Sequence, residues 1–276
     1  MDSDLQWHAA RAALEWQIEA GADEAILDAP LNRFELPAPP APAPVAPAPE
    51  KGAGRVPGPV PVPHPAAPRA EDQLAAAVAE ARRLAASAGD LPGLAVAMEA
   101  YGHCELKLGA RNTVISDGDP AARVMIIGEA PGREEDIRGK PFVGRAGQLL
   151  DRMLGAIGLD RAAEGAEKAV YITNVLPWRP PGNRTPDAGE IAMMLPFLER
   201  HVQLASPDFI VLMGNTPCQA LLGRAGITRI RGSWSEALSR PVLPMFHPAY
   251  LLRQPLAKRD AWADLLSLRA RLDGSG

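Results

Sequence analysis

Cysteine is scarce in this chain. Cys104 and Cys218 are its only two in 276 residues. That is too few for a disulfide framework, and too few to complete a four-cysteine metal or cluster site. Aromatic residues are also sparse, at 5%. No apolar run approaches the roughly 18 residues that a membrane-crossing helix needs. Neither sign of charge dominates: 29 Lys and Arg face 33 Asp and Glu, a formal net charge of -4. The opening residues, MDSDLQWHAARAALEW, lack the basic start and apolar centre of a secretory signal. These absences predict a soluble, reduced, cytoplasmic protein. Hydrophobic residues, at 47%, suffice for one sizeable core or one core plus a small appendage.

Proline divides the chain. Residues 37–68 hold 13 of its 29 prolines, interleaved with Ala, Val and Gly. Such a stretch cannot donate regular backbone hydrogen bonds, so 37–69 reads as a disordered, polyproline-II-like linker. Docking of a proline-reading partner is the alternative to a plain spacer. Upstream, apolar spacing near 3.6 over 5–29 predicts an amphipathic helix within an acidic segment, 1–36, that carries 8 acids and 2 bases. Its apolar face (Leu5, Ala9, Leu14, Trp16, Ile18) needs something to pack on, either the main domain or a protein partner. A catalytic domain is expected over 70–276. Its charges balance overall, but residues 223–259 carry seven bases and one acid, Glu236. A local basic stretch of this kind suits a polyanion.

Within 70–276, apolar β-branched runs alternate with helical patterns. The runs are Val124–Gly128, Ala169–Asn174, Phe209–Gly214 and 241–246. Helices are predicted over 71–99 with a break at Pro92, and near 145–158, 187–205, 215–223 and 255–272. This alternation predicts an α/β fold with a mostly parallel sheet covered on both faces. Ligands in such folds bind beyond the carboxyl ends of the strands.

The residues just past each run therefore carry the most information. Past the first comes GEAPGREEDIRGKPFVGRAGQLL, in which Gly128 and Gly132 permit a tight turn. It also supplies the carboxylates Glu129, Glu134, Glu135 and Asp136. Phe142 stands in a loop there; it is either a core residue or a face for a flat ring. After the second run comes NVLPWRPPGNRTP. Asn174 ends that strand with an amide that can both donate and accept, although a strand-end Asn also serves as a cap. Asn183 and Arg184 stand in its stiffened loop. After the last run comes HPAYLLR, a loop led by His247. No His/Asp/Glu cluster has the spacing of metal ligands, so no metal is expected.

GEAPGxxEDxxGxPFVGxAGxLL, TNxxxxRPPxNRxP and FHPAYLLR together resemble the three motif blocks of type-4 uracil-DNA glycosylases. The resemblance spans about 101–270 and includes ITRIRGSW at 227–234. It does not cover the N-terminal segments. It implies a three-layer α/β/α sandwich around a four-stranded, mostly parallel sheet. It also implies a monofunctional glycosylase that flips uracil from single- or double-stranded DNA, hydrolyses its N-glycosidic bond and initiates base excision repair. Lys140 is the one lysine within the pocket motifs, so a Schiff-base lyase is not expected. The same resemblance implies a nucleoid-associated monomer.

It implies residue roles too. Glu129, Glu135, His247 and Asn183 are the implied catalytic set. Gly128, Ala130, Gly132, Phe142 and Asn174 would surround the base. Phe142 would stack on it, and Asn174 would read its O4 and N3–H edge. His247 would face O2. Ala130 stands where related glycosylases of another family place an Asp. On the DNA side, Leu251 or Leu252 would be an apolar wedge and Arg253 a phosphate contact, joined by Arg184 and by backbone amides around Gly214 and Asn215. One departure stands out. The family usually holds a 4Fe–4S cluster on four cysteines, and the matching positions are Tyr101, Cys104, Trp178 and Met194 or Met193. Only Cys104 is a cysteine, so no cluster is expected, and a small hydrophobic patch is expected in its place. Two other readings remain: a non-catalytic DNA-binding homologue, and a glycosylase for another damaged base.

Overall fold

The computed structural model describes residues 70–274. The acidic helical segment 1–36 and the linker 37–69 lie outside the described residues. Two helices, α1 (Ala70–Ser87) and α2 (Leu91–Ala100), cover the 71–99 pattern with a break between them, as expected, though not at Pro92 itself. The break falls at 88–90. There the Asp90 side chain accepts from the Gly93 N–H at 2.8 Å. Pro92 sits in the first turn of α2, where its missing N–H costs nothing.

Next come a single turn, α3 (Leu106–Gly109), and a six-stranded sheet. Its strands are β1 (Ser116–Gly118), β2 (Val124–Gly128), β3 (Val170–Asn174), β4 (Phe209–Met213), β5 (Ser235–Ala237) and β6 (Arg240–Met245). The order is β1-β3-β2-β4-β6-β5. The four inner strands run parallel, as the apolar runs predict. The two outer strands, each three residues long, are antiparallel additions. They escape sequence reading because Ser-Asp-Gly and Ser-Glu-Ala have no apolar signature.

The parallel strands are buried on both faces, with alternate side chains serving two cores. Met125, Ile127, Tyr171, Ile210, Leu212 and Val242 join one cluster, beneath α1, α2, α6 (Ala188–Ala205) and α7 (Asn215–Leu222). Val124, Ile126, Val170, Ile172, Val211 and Leu243 join the other, beneath α5 (Arg145–Gly155) and α10 (Lys258–Leu272). Three short helices complete the described fold: α4 (Arg133–Arg138), α8 (Ile227–Ile230) and α9 (Pro248–Arg253). The last is a correction. HPAYLLR is not a loop but a turn of helix, with His247 as its N-cap and Pro248 at its first position. Because β3 and β4 lie on opposite sides of β2, the chain reverses direction there. The carboxyl ends of β3, β2, β4 and β6 open onto one edge.

Candidate active site

That edge holds a crevice of 620 Å³. Glu129, Ala130 and Gly132 reach it from β2, and Asn174, Asn183 and Arg184 from β3. Gly214–Thr216 reach it from β4, and His247 and Arg253 from β6. Glu135 and Phe142 complete the wall. Segments more than 100 residues apart thus share one cavity.

Gly128 does not itself line the crevice; it lies behind Phe142 and Asn174, which do. A Cβ there would come within 2.6 Å of the Phe142 ring and would collide with the Asn174 amide oxygen. The glycine is what allows ring and amide to close on the same point. Phe142 is at once a core residue and a pocket wall, mostly buried and stacked on the His247 imidazole at 5.4 Å between centroids. Its backbone has φ +52°, a left-handed conformation that is strained for an aromatic residue.

His247 has a defined proton. The Ala249 N–H donates to Nδ1 at 3.1 Å, so the neutral ring carries its hydrogen on Nε2. Burial draws the imidazole pKa down to about 4; nearby Arg253 lowers it too, and Glu135 opposes the shift. At neutral pH the residue is an uncharged donor. Gly214, with φ +96°, brings its backbone against the His247 Cβ, and a side chain there would crowd the ring.

The two glutamates are held differently. Glu129 accepts from the Thr216 hydroxyl at the start of α7. Glu135 accepts from the N–H groups of Val143 at 3.0 Å and Gly144 at 2.9 Å. It therefore clamps the turn that carries Phe142. Asn183 sits on the exposed rim at φ +55°, its amide oxygen taking the Arg179 Nε–H at 2.7 Å. Thr216 had no motif to mark it and lies 87 residues from its partner, whereas Arg179 stands in the RPP motif but was given no role there.

Several expected DNA contacts need correction. Leu251 is 1% exposed, packed with Leu149, Phe246 and Ala261, so it anchors α9 and is not a wedge. Leu252 is half-buried on the same cluster. Leu256, which sequence reading missed, is 93% exposed just beyond Arg253. Arg184 lines the crevice, but its guanidinium is paired with both oxygens of Glu190. The Gly214 N–H is already spent on the Met245 carbonyl. The Asn215 side-chain oxygen holds the N–H groups of Gly226 and Ile227. Within the basic stretch, Arg231 turns inward to a buried pair with Asp264, while Arg224, Arg229, Arg253, Lys258 and Arg259 are exposed.

The four positions that match the family's cluster ligands meet in one buried apolar group. Tyr101, Cys104, Trp178 and Met194 are each 1% exposed. The Tyr101 hydroxyl donates to the Ala77 carbonyl, and the Trp178 indole N–H donates to Thr113 Oγ1. Burial pushes the Cys104 thiol pKa up, against the thiolate that iron requires. A 4Fe–4S cluster is held by thiolates, and one protonated cysteine among three bulky side chains does not fit it. Met193 lies at the margin of the same group and adds no thiolate.

An α/β sheet whose strand ends present an aromatic face, an amide, a neutral imidazole and two carboxylates to one cavity defines a site for a flat, hydrogen-bonding heterocycle. Comparison with known proteins places it further. Residues 115–266 match the model of the uracil DNA glycosylase superfamily. A type-4 uracil-DNA glycosylase of Thermotoga maritima is 41% identical over 153 residues, which cover 54% of this chain and 77% of the relative. Type-4 uracil-DNA glycosylases of Sulfurisphaera tokodaii and Archaeoglobus fulgidus are each 36% identical, covering 60% and 58% of this chain and 77% and 82% of theirs. The chain belongs to the uracil DNA glycosylase superfamily.

Proposed function

We propose that this protein is a monofunctional uracil-DNA glycosylase that starts base excision repair. The observation that carries the reading is the convergence of Phe142, Asn174 and a neutral, Nε2-protonated His247 on one crevice. A base inside a duplex is out of reach, so the nucleotide must be everted, at a cost of a few kcal/mol. The everted uracil lies against Phe142. The Asn174 amide donates to O4 and accepts from N3–H. Cytosine presents the reverse pattern at that edge and leaves both sides unpaired.

As the N-glycosidic bond breaks, negative charge gathers on uracil and positive charge on the sugar. His247 Nε2–H faces O2 and stabilises the departing anion. One preorganised donor of this kind lowers the barrier by about 3–4 kcal/mol. Glu129, oriented by Thr216, faces the sugar cation and the attacking water. Glu135 shapes the Phe142 turn. The two roles separate kinetically: Glu129→Gln lowers kcat, whereas Glu135→Gln chiefly raises KM. The reverse split would reassign them.

Exposed Arg253 and Arg229 meet phosphate, and Leu256 with Leu252 supplies the wedge. The chain acts as a monomer. Residues 1–69 serve as a partner-recruiting extension, which pull-down by a 1–69 peptide tests. Among the described residues no helix is long and apolar enough to cross a membrane. The protein works without an iron–sulfur cluster, its place taken by the Tyr101–Trp178–Met194 packing. Purified protein should be colourless; a brown preparation with a broad visible band would overturn that point. The activity itself is tested with single-uracil oligonucleotides, single- and double-stranded. Alkali-labile sites should form with wild type and fail to form with Asn174→Ala. Binding without cleavage by wild type would favour a DNA-binding homologue.

A further inference from the structure

Arg161 lies outside the crevice, on the stretch between α5 and β3, with little of its side chain exposed. Its guanidinium donates Nη1–H to the Pro141 carbonyl and Nη2–H to the Phe142 carbonyl, both at 2.9 Å. Two carboxylates keep it there. Nε donates to Asp151 at 2.8 Å, and Nη1 lies 3.4 Å from Asp117. Asp117 also takes the Lys140 ammonium at 2.9 Å, so the turn is gripped one residue earlier as well.

The arrangement is two-sided. A cation holds the carbonyls of 141 and 142, while Glu135 holds the next two N–H groups. Between them stands Phe142, whose left-handed backbone would relax to an ordinary conformation if released. Relaxation would swing the ring away from Gly128, against which it packs, and from His247, which it meets in the crevice. The planar fork of arginine serves two carbonyls and a carboxylate together; an ammonium does not reproduce that geometry.

We propose that Arg161 is a positioning residue that fixes Phe142 for recognition of the everted base. The inference rests on the glycosylase reading for its consequence, but not for its structural part. The experiment compares wild type, Arg161→Met, Arg161→Lys, Phe142→Leu and the Arg161→Met/Phe142→Leu double variant. Steady-state kinetics use a single-stranded uracil oligonucleotide, and amide hydrogen exchange is followed at Val143 and Gly144. Arg161→Met should raise KM about tenfold and leave kcat within about threefold, with Arg161→Lys intermediate. In the Phe142→Leu background the same change should move KM less than about twofold, because its route is already cut. Exchange at Val143 and Gly144 should quicken at least about tenfold in Arg161→Met.

A lowered melting temperature with unchanged KM would overturn the proposal. So would an equal KM effect in both backgrounds, since either result makes Arg161 a plain structural support. If Arg161→Met fails to fold, Arg161→Lys carries the same comparison. If wild type itself does not release uracil, the glycosylase reading fails first. The exchange measurement still decides whether Arg161 sets the turn, and unchanged exchange overturns it.

Discussion

The Ala249 N–H points at Nδ1 of His247, 3.1 Å away, and so assigns the imidazole hydrogen to Nε2, the nitrogen left to meet a ligand. The same ring is held neutral because burial, and then Arg253, disfavour its cation and bring its pKa down to about 4. A charged imidazole would bind an anion more strongly. A neutral one is the form present throughout the physiological range, and it needs no proton from solvent.

Replacing His247 by Ala should lower kcat by about 100- to 1000-fold, the usual loss of one preorganised donor. KM should change by no more than a few-fold. Because the pKa is lowered, the wild-type His247 stays in its working form from pH 8 down past pH 5 and changes form only near pH 4. Single-turnover rates across that range check this. A step in rate centred near pH 6.5 that His247→Ala abolishes would show an unshifted imidazole.

Gly128→Ala tests whether the close approach of the Phe142 ring and the Asn174 amide matters. The new methyl would meet the Phe142 ring at 2.6 Å and press on Asn174. Overpacking of this kind destabilises by about 1–3 kcal/mol, so the variant should still fold. Its uracil excision should fall by more than about 100-fold, since a misplacement near 1 Å costs that much. Melting temperature and excision rate measured together make the check. A variant with near-normal activity would mean that the base does not sit against Phe142 and Asn174.

Leu256, three residues after Arg253, is 93% exposed, so its apolar side chain gains little from the fold. Leu256→Ala should slow excision from double-stranded substrate about tenfold or more and leave single-stranded substrate nearly unchanged, because only a duplex needs its gap filled. Equal effects on both substrates would remove Leu256 from that role and leave Leu252.

His201 offers a prediction about stability. It is buried on α6, 2.8 Å from the Tyr171 hydroxyl, and burial lowers its pKa to about 4. The unfolded chain binds a proton below about pH 6.5, but the folded protein does so only below about 4. The His201 contribution to stability therefore falls as pH drops through that window and is constant above it. The span corresponds to about 3 kcal/mol. Urea unfolding at pH 7 and pH 4.5, in wild type and His201→Gln, measures it. The variant should lose about half of the slope, because His247, lowered to about 4 as well, keeps its own share; an unchanged slope would assign it to other groups.

The four inner strands were legible because each is a short run of large apolar residues, as in Val124–Gly128 and Phe209–Met213. The crevice was legible at its glycines and at the polar residues that close each run. Ser116–Gly118 and Ser235–Ala237 were not, since they become strands only by pairing with the sheet's flanks. Pro248–Arg253 looked like a loop because a six-residue helix opened by His-Pro has too few turns for a period to register. Leu251 and Leu252 are adjacent and chemically identical in sequence, and only the helix decides which one faces inward. Thr216 and Arg161 carry no motif at all. Their meaning arises from partners 87 and 19 residues away, which folding alone brings together.

The glycosylase reading stands or falls on whether the crevice takes in an everted uracil and releases the base. It is tested by mass spectrometry of the free base liberated from matched oligonucleotides that differ only in one uracil, thymine or cytosine. Wild type should release uracil alone and leave an abasic site in the same strand. No release from folded protein, or thymine released as fast as uracil, would be incompatible with a crevice built for uracil.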